Sequence, residues 1–190
     1  MSTADWPPRP LPVPGDDVHR GGATTGGLRL RPWRIPDAEA LAAAWSDPEL
    51  RRWLDPPGAD VGAARDWIEG EATRREAGLA LDLVVDLGGA VIGEVGLWRF
   101  DTRRRACMVG YWVMAPHRGQ GHATNALVAA TSFFRDALDG SAMIAECHRH
   151  NLASCRTAEA AGFELLAVRD DTSVYGWRSE RSRERRSDSG

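Results

Sequence analysis

The sequence contains one stretch that decides its fold class, Val113-Met114-Ala115-Pro116-His117-Arg118-Gly119-Gln120-Gly121-His122-Ala123. An apolar strand leads into this stretch, and a strongly periodic helix over residues 121–138 follows it. Gly119 and Gly121 have no side chain, so backbone N–H groups can crowd around an anion in the turn. The start of the helix favours negative charge, and Arg118 adds a planar donor. The pattern predicts a phosphate-binding turn, although a connection that binds nothing can have the same spacing.

The elements around this turn predict an α/β fold with a mixed sheet and helices on both of its faces. Period-two alternation and turn residues indicate strands near residues 28–31, 80–86, 90–100, 106–114, 142–148, 164–169 and 173–177. Helical periodicity and capping residues indicate helices near residues 36–45, 47–53, 60–77, 121–138 and 153–161. A hairpin run followed by alternating strands and helices is typical of a mixed sheet.

The 190 residues fit one domain with a tail at each end. Residues 1–26 are rich in Pro and Gly and are predicted to be a disordered lead-in, so the domain covers residues 27–178. Residues 179–190 form an Arg-rich tail, which leaves contact with nucleic acid or an acidic partner open. The net charge of −3 gives no electrostatic reason to expect nucleic acid.

The chain has no apolar run of membrane-spanning length and no signal-peptide core. Its three cysteines, Cys107, Cys147 and Cys155, lack metal-type spacing and leave one unpaired. We therefore expect a reduced, cytoplasmic protein without a metal. The cysteine positions suit packing, which argues against a covalent acyl-cysteine route.

Two motifs carry a family resemblance. Arg118-x-x-Gly121-x-Ala123 after a strand resembles the central motif of the GNAT acyl-CoA N-acyltransferases. The stretch Asn151-Leu152-Ala153-Ser154, leading to Ala161-Gly162-Phe163, resembles the later motif in its RimJ/RimL-like form, the branch with the ribosomal-protein N-terminal acetyltransferases. Residues 28–32 leading to Asp37 are similar to the opening of that branch. The resemblance spans residues 28–178.

The resemblance implies a GNAT fold, a twisted mixed sheet whose central strands, residues 106–114 and 142–148, splay apart. It also implies acetyl-CoA as co-substrate, with pantetheine in the opening and pyrophosphate on the turn. The CoA-contacting residues would be Trp112, Val113, Met114, Arg118, Gly119, Gln120, Gly121, His122, Ala123, Thr124, Asn151 and Ser154.

Acyl transfer to an amine requires a neutral nucleophile, so a base is useful. Glu146 is the first candidate, because its place five residues before Asn151 resembles that of the base in some N-terminal acetyltransferases. Glu94, on the strand at residues 90–100, is the second. For both, an ordinary surface carboxylate remains the alternative. The carbonyl oxygen of the thioester can be met by the backbone N–H of Val113.

Two positions depart from the family pattern. Ala158 stands where many members have a Tyr that protonates the departing sulfur, and Met108 stands where related sequences often have Glu. Ser154 lies one helical turn before Ala158, so its hydroxyl could hydrogen-bond to the sulfur. Both departures keep a CoA-binding sensor or scaffold without catalysis open as an alternative function.

The acceptor side is predicted at three tryptophans, Trp33, Trp53 and Trp98, for which filling the core is the alternative. We expect an N-acyltransferase that moves an acetyl group from acetyl-CoA to a primary amine by direct attack. The amine is a protein N-terminus or a small molecule, and another acyl-CoA such as succinyl-CoA remains an alternative donor. A homodimer remains open, and no membrane partner is expected.

Overall fold

The computed structural model describes residues 6–14 and 24–179. Eight strands form one sheet in the order β1-β2-β3-β4-β5-β6-β8-β7, and β5 and β6 are its parallel pair. The strands are β1 (Thr24–Thr25), β2 (Leu28–Pro32), β3 (Ala80–Leu87), β4 (Ala90–Asp101), β5 (Ala106–Val113), β6 (Ala142–His148), β7 (Glu164–Arg169) and β8 (Thr172–Arg178). The other neighbouring strands are antiparallel, which confirms the predicted mixed sheet.

Helices cover both faces of this sheet. They are α1 (Ala38–Trp45), α2 (Pro48–Arg51), α3 (Val61–Glu76), α4 (His122–Ala137) and α5 (Leu152–Ala160). The larger core packs α4 and α5 against one face, and a second core of α1 and α3 side chains lies on the other face around Trp33, Val84 and Trp112. The predicted helices on both faces are therefore confirmed.

Local sequence explains where the helices begin. Asp47 and Asp60 accept hydrogen bonds from backbone N–H groups at the starts of α2 and α3, and Pro48 occupies the first position of α2. The buried face of α4 has the predicted 3.6-residue period, with Leu127 and Phe134 fully buried. The start of α2 lies beside the turn before α4, where Asp47 pairs with Arg118.

The central strands β5 and β6 separate along their length. Their parallel pairing extends only from Ala106 and Ala142 to Met108 and Ile144, although both strands continue beyond it. On its other side β5 remains paired with β4 as far as Val113. The backbone from residue 109 onward therefore faces a gap where β6 has diverged, which is the predicted splay.

The N-terminal segment differs from the sequence prediction. Residues 6–14 are packed on the domain, because Trp6 and Leu11 are buried in the larger core and the Trp6 indole donates to the Leu138 carbonyl at 2.6 Å. Two isolated apolar anchors in a Pro-rich segment give no periodic signal, which is why this packing was missed. In the rest of the predicted lead-in, residues 24–25 form β1 and Gly26 is a turn residue, and the remainder lies outside the described residues, as do residues 180–190 of the Arg-rich tail.

Within the described ranges, the helices are all too short or too polar to span a lipid bilayer.

Candidate active site

The turn between β5 and α4 exposes a row of backbone N–H groups. Gly119 and Gly121 have φ of 71° and 79°, a left-handed conformation that disfavours other residues. Gly121 is the N-cap of α4, and no side chain caps the helix. The first helical backbone bond is donated by Asn125, so in the described structure the N–H groups of residues 119–124 have no backbone acceptor. This arrangement suits an anion.

The Arg118 guanidinium contacts other groups of the protein itself. Its Nε donates to the Val113 carbonyl at 2.9 Å, and its Nη2 pairs with the Asp47 carboxylate at 2.5 Å. The side chain thus ties the end of β5 and the start of α2 to the turn. Its donation to a phosphate oxygen stays a prediction, and the geometry gives the guanidinium a structural task as well.

A cavity of about 490 Å³ extends from this turn to the gap between β5 and β6. The N-terminal ends of α4 and α5 form one side of it, and α2 forms the other. Its lining includes the predicted CoA residues Trp112, Val113, Arg118, Gly119, Gly121, His122, Ala123, Thr124, Asn151 and Ser154. Met114 and Gln120 are absent from the lining; the Gln120 amide donates instead to the Pro116 carbonyl.

At α5, Asn151 accepts a hydrogen bond from the Ser154 N–H at 3.1 Å and so caps the helix. The Ser154 hydroxyl lies 3.2 Å from the Cys147 sulfur and 3.3 Å from the Tyr111 hydroxyl. Tyr111 crosses from β5 and donates to the Ser154 carbonyl at 2.8 Å. Burial raises the pKa of Tyr111 well above its ordinary value, so its phenol keeps its proton and acts as a hydrogen-bond donor.

Glu94 lies on the face of the sheet that α1 and α3 cover. Val95 and Leu97 point to the opposite, α4 side, so the alternation of β4 sets the direction of Glu94. The Trp33 indole donates to its carboxylate at 3.1 Å, and Trp112, its cross-strand neighbour, also hydrogen-bonds to it. Burial and the charge of Asp82 raise the pKa of Glu94 to about 8, although the indoles oppose the shift.

Glu146 lies across the gap from Glu94. On β6, Ala145 and Cys147 belong to the α4–α5 core, so Glu146 and His148 point to the face that carries Trp112 and Glu94. The Glu146 side chain is exposed. The two predicted base candidates therefore share one face of the sheet, but only Glu94 is enclosed by other side chains.

The three predicted acceptor tryptophans occupy different surroundings. Trp33 is buried beside Trp112, with ring centres 6.5 Å apart. Trp53 lines the cavity, and its ring centre lies 5.2 Å from that of His148. Trp98 lies over Gly110, where an added Cβ would come within 2.8 Å of the indole. Core packing accounts for Trp33, while Trp53 is the member of the set on the cavity.

The chain matches the Acetyltransferase (GNAT) domain family over residues 27–164. It belongs to the GNAT acetyltransferases. Members of this family are acyl-CoA-dependent N-acyltransferases. The gap between β5 and β6 and the glycine turn both lie within the residues that match the family.

This GNAT acetyltransferase is 28% identical over 149 residues to the uncharacterized N-acetyltransferase p20 of Bacillus licheniformis, covering 74% of the chain and 80% of the relative. Its fold resembles that of Mycobacterium smegmatis RimJ in complex with CoA-disulfide, with a TM-score of 0.75, 22% identity and coverage of 81% and 83% of the two chains. The ribosomal alpha-N-protein acetyltransferase RimL in complex with coenzyme A gives a TM-score of 0.73, 20% identity and coverage of 81% and 95%. The fold of the GNAT family is thereby confirmed.

Sequence reasoning missed four residues in and around this site. Tyr111 gave no signal, because a strand pattern cannot show that a phenol will reach a helix 43 residues later. Glu49 and Leu50 of α2 line the cavity but look like ordinary helix residues. Asp82 could have been found, since a carboxylate within the apolar strand Ala80–Leu87 must be either paired or functional. Among the described residues, no group of three or more potential ligands could hold a metal ion.

Proposed function

We propose that this GNAT acetyltransferase moves an acetyl group from acetyl-CoA to a primary amine. The observation that carries the proposal is the continuity of the site: the uncapped start of α4 opens into a cavity that continues into the gap between β5 and β6. A long, thin ligand with phosphates at one end and a thioester at the other matches that shape. The CoA complexes of the RimJ and RimL structures support the same ligand class.

The residues at the turn fit a pyrophosphate. Residues 119–124 offer backbone N–H groups, and Cβ atoms built at Gly119 and Gly121 would meet no atom within 4 Å, so a ligand can approach both glycines. His122 is one of the residues that line the cavity. Its Nδ1 atom is buried and has no hydrogen-bond partner among the described residues. A polar group of the ligand would satisfy it.

The reaction balances with groups on this chain. The amine nitrogen attacks the thioester carbonyl carbon, the C–S bond breaks with its electron pair on sulfur, and the amine proton passes to a base. Met114 donates its N–H to Ile92 of β4, so the Val113 N–H points the other way, into the gap. It is available there to the carbonyl oxygen. The hydroxyl of Ser154 provides a hydrogen-bond donor near the departing sulfur.

Glu94 is the base we propose, with Glu146 as the second candidate. A base works best when its pKa lies near the working pH, and enclosure brings Glu94 to about 8. An α-ammonium group has a pKa of about 8, whereas a lysine ammonium is about 10.4. Proton transfer to Glu94 is therefore nearly balanced for an α-amine and uphill for lysine. We propose an α-amine acceptor, the acceptor class of the alpha-N-protein acetyltransferase RimL, whose fold this chain shares, and the raised pKa of Glu94 agrees with that choice.

A thiol-release assay with acetyl-CoA tests the proposal. Three acceptors share one peptide sequence: a free N-terminus with a blocked lysine, a blocked N-terminus with a free lysine, and both blocked. We expect release with the first peptide, slower release with the second and none with the third, and mass spectrometry should find one added acetyl group. Binding of acetyl-CoA without release over these peptides and a panel of small amines would favour a sensor and contradict the proposal.

A further inference from the structure

Next to Glu94, on the neighbouring strand β3, is the buried carboxylate of Asp82, which takes no direct part in the transfer reaction. Asp82 on β3 is opposite Gly96 of β4, and Glu94 is two residues before Gly96, so both acids point to the α1–α3 face. Asp82 is 9% exposed. Its Oδ1 lies against Gly96, where an added Cβ would come within 3.1 Å, so the missing side chain leaves room for the carboxylate beside Glu94.

Arg74 of α3 holds Asp82 in this place. Its Nη2 lies 3.0 Å and its Nε 3.3 Å from the Asp82 Oδ2. The guanidinium also stacks on the Trp67 ring, 4.5 Å from its centre, and donates to the Trp67 carbonyl. A guanidinium fixed on several sides stays on its carboxylate, because neither partner can turn to solvent without losing these contacts.

The two acids have unequal partners. Asp82 has a cation, whereas Glu94 has two neutral indole donors, Trp33 and Trp112. When two carboxylates share a poorly solvated space, the one with the cation takes the negative charge and the other retains its proton to higher pH. Glu94 is thus the member of the pair that exchanges a proton near neutral pH.

We propose that Asp82, clamped by Arg74, is the positioning residue that makes Glu94 a proton acceptor for the incoming amine. This inference rests on the proposed function, in which Glu94 is the base. Burial is the larger cause of the raised pKa of Glu94 and the charge of Asp82 adds to it, so without that charge Glu94 would be a weaker base for the proton of an α-amine. With the Asp82 charge present, the pKa of Glu94 lies close to that of an α-ammonium group, so Glu94 can accept the proton that leaves the amine.

The other charged groups near the pair come from α3. Glu71 is buried, and Arg75 lies 3.6 Å from its Oε1 atom. Burial raises the pKa of Glu71; the charge of Asp82 adds to the rise, and those of Arg75 and Arg74 oppose it. The charges that act on Glu94 directly are those of Asp82 and Arg74.

Asp82→Asn tests the inference with two readouts. The first is the carboxyl ¹³C shift of Glu94 followed against pH in the whole protein, assigned by its loss in Glu94→Gln. The second is the pH profile of kcat/KM with acetyl-CoA and the free-N-terminus peptide. In Asp82→Asn we expect the Glu94 midpoint and the acid limb of the profile to move to lower pH by at least about one unit, because a like charge is removed and Arg74 remains.

Asp86→Asn is the matched control. Asp86 is another buried β3 carboxylate with an arginine partner, Arg31, at 2.7 Å, but it does not act on Glu94. It should lose stability without moving either readout. A Glu94 midpoint that stays in place in Asp82→Asn overturns the inference. A midpoint that moves while the rate profile stays in place supports the electrostatic pairing and overturns the choice of Glu94 as base, so the two failures are distinguishable.

Should Asp82→Asn fold poorly, Arg74→Lys gives a second variant. Lysine keeps the positive charge and cannot form the two-nitrogen contact or the stacking on Trp67. We expect the Glu94 midpoint to broaden or fall by a smaller amount than in Asp82→Asn, with kcat reduced and KM for acetyl-CoA unchanged. An unchanged midpoint together with an unchanged kcat contradicts the clamp.

Discussion

Arg118 in the turn before α4 forms an ion pair with Asp47, the residue that caps α2. Burial alone would raise the pKa of Asp47, but the Glu49 N–H and the Arg118 guanidinium outweigh it and hold that pKa below its usual value. Since Glu49 and the next residue, Leu50, line the cavity, this pair joins the glycine turn before α4 to the opposite wall of the cavity. The ion pair therefore connects the two sides of the proposed CoA site directly.

Asp47→Asn and Asp47→Ala separate the cap from the ion pair. Asparagine still caps the helix, so Asp47→Asn should lose only the charge, whereas Asp47→Ala should cost about 1 kcal/mol more of unfolding free energy. Both should raise KM for acetyl-CoA by about threefold or more, because α2 and the turn are no longer held together. Denaturant unfolding and initial rates provide the measurements, and an unchanged KM in Asp47→Ala would contradict the coupling.

Glu94→Gln and Glu146→Gln compare the two base candidates. Glutamine keeps the shape of either side chain and cannot accept the proton. We expect Glu94→Gln to lower kcat by about 100-fold, the scale of general-base catalysis, and Glu146→Gln to lower it by less than about threefold. The KM for acetyl-CoA should stay close to that of the wild type in both. The reverse order of the two effects would make Glu146 the base.

The stability of the protein should depend on pH through Glu94. Its pKa in the folded chain is about 8, above the unfolded value of 4.5, so the folded state binds the extra proton between these values. The stabilising contribution is fully present below pH 4.5 and is lost as pH rises through 8. Between pH 6 and 9 we expect the wild-type Tm to fall by about 3 °C or more relative to Glu94→Gln. Parallel Tm curves for the two proteins would contradict the shifted pKa.

Ser154→Ala removes the hydroxyl that lies near Cys147 and Tyr111. A serine hydroxyl is a hydrogen-bond donor to sulfur and not an effective acid, so kcat should fall by only about three- to tenfold. Tyr111→Phe, which loses the bond to the Ser154 carbonyl, should have an effect of similar size. Single-turnover rates with acetyl-CoA measure both. Total loss in Ser154→Ala would show a direct catalytic task for this serine.

Most of the fold was predictable because its signals are local. The alternation of β4, the capping aspartates and the apolar period of α4 each act within a few residues. Trp6 and Leu11 could not be placed, because each is one apolar residue whose burial depends on a distant partner. Asp82 and Glu94 meet only through the register of β3 and β4, which pairing in space sets and sequence spacing does not.

For the site, the sequence located the glycine turn before α4, since glycine conformation is a short-range property. It could not show that the Arg118 guanidinium turns back to Val113 and Asp47, because Asp47 is 71 residues away. It also ranked Glu146 before Glu94 as the base, the reverse of the order that we propose from the structure. Their difference is one of enclosure by Trp33 and Trp112, which tertiary packing creates.

Isothermal titration calorimetry of acetyl-CoA tests the central claim, that the turn at Gly121 holds the phosphates, most directly. Gly88→Asp is the matched control, because Gly88 and Gly121 share positive φ and open space around a built Cβ, and Gly88 lies in the β3–β4 hairpin. We predict one-to-one binding for the wild type and for Gly88→Asp, and at least about tenfold weaker binding for Gly121→Asp, whose carboxylate would repel the pyrophosphate. Equal affinity in all three proteins would contradict the claim.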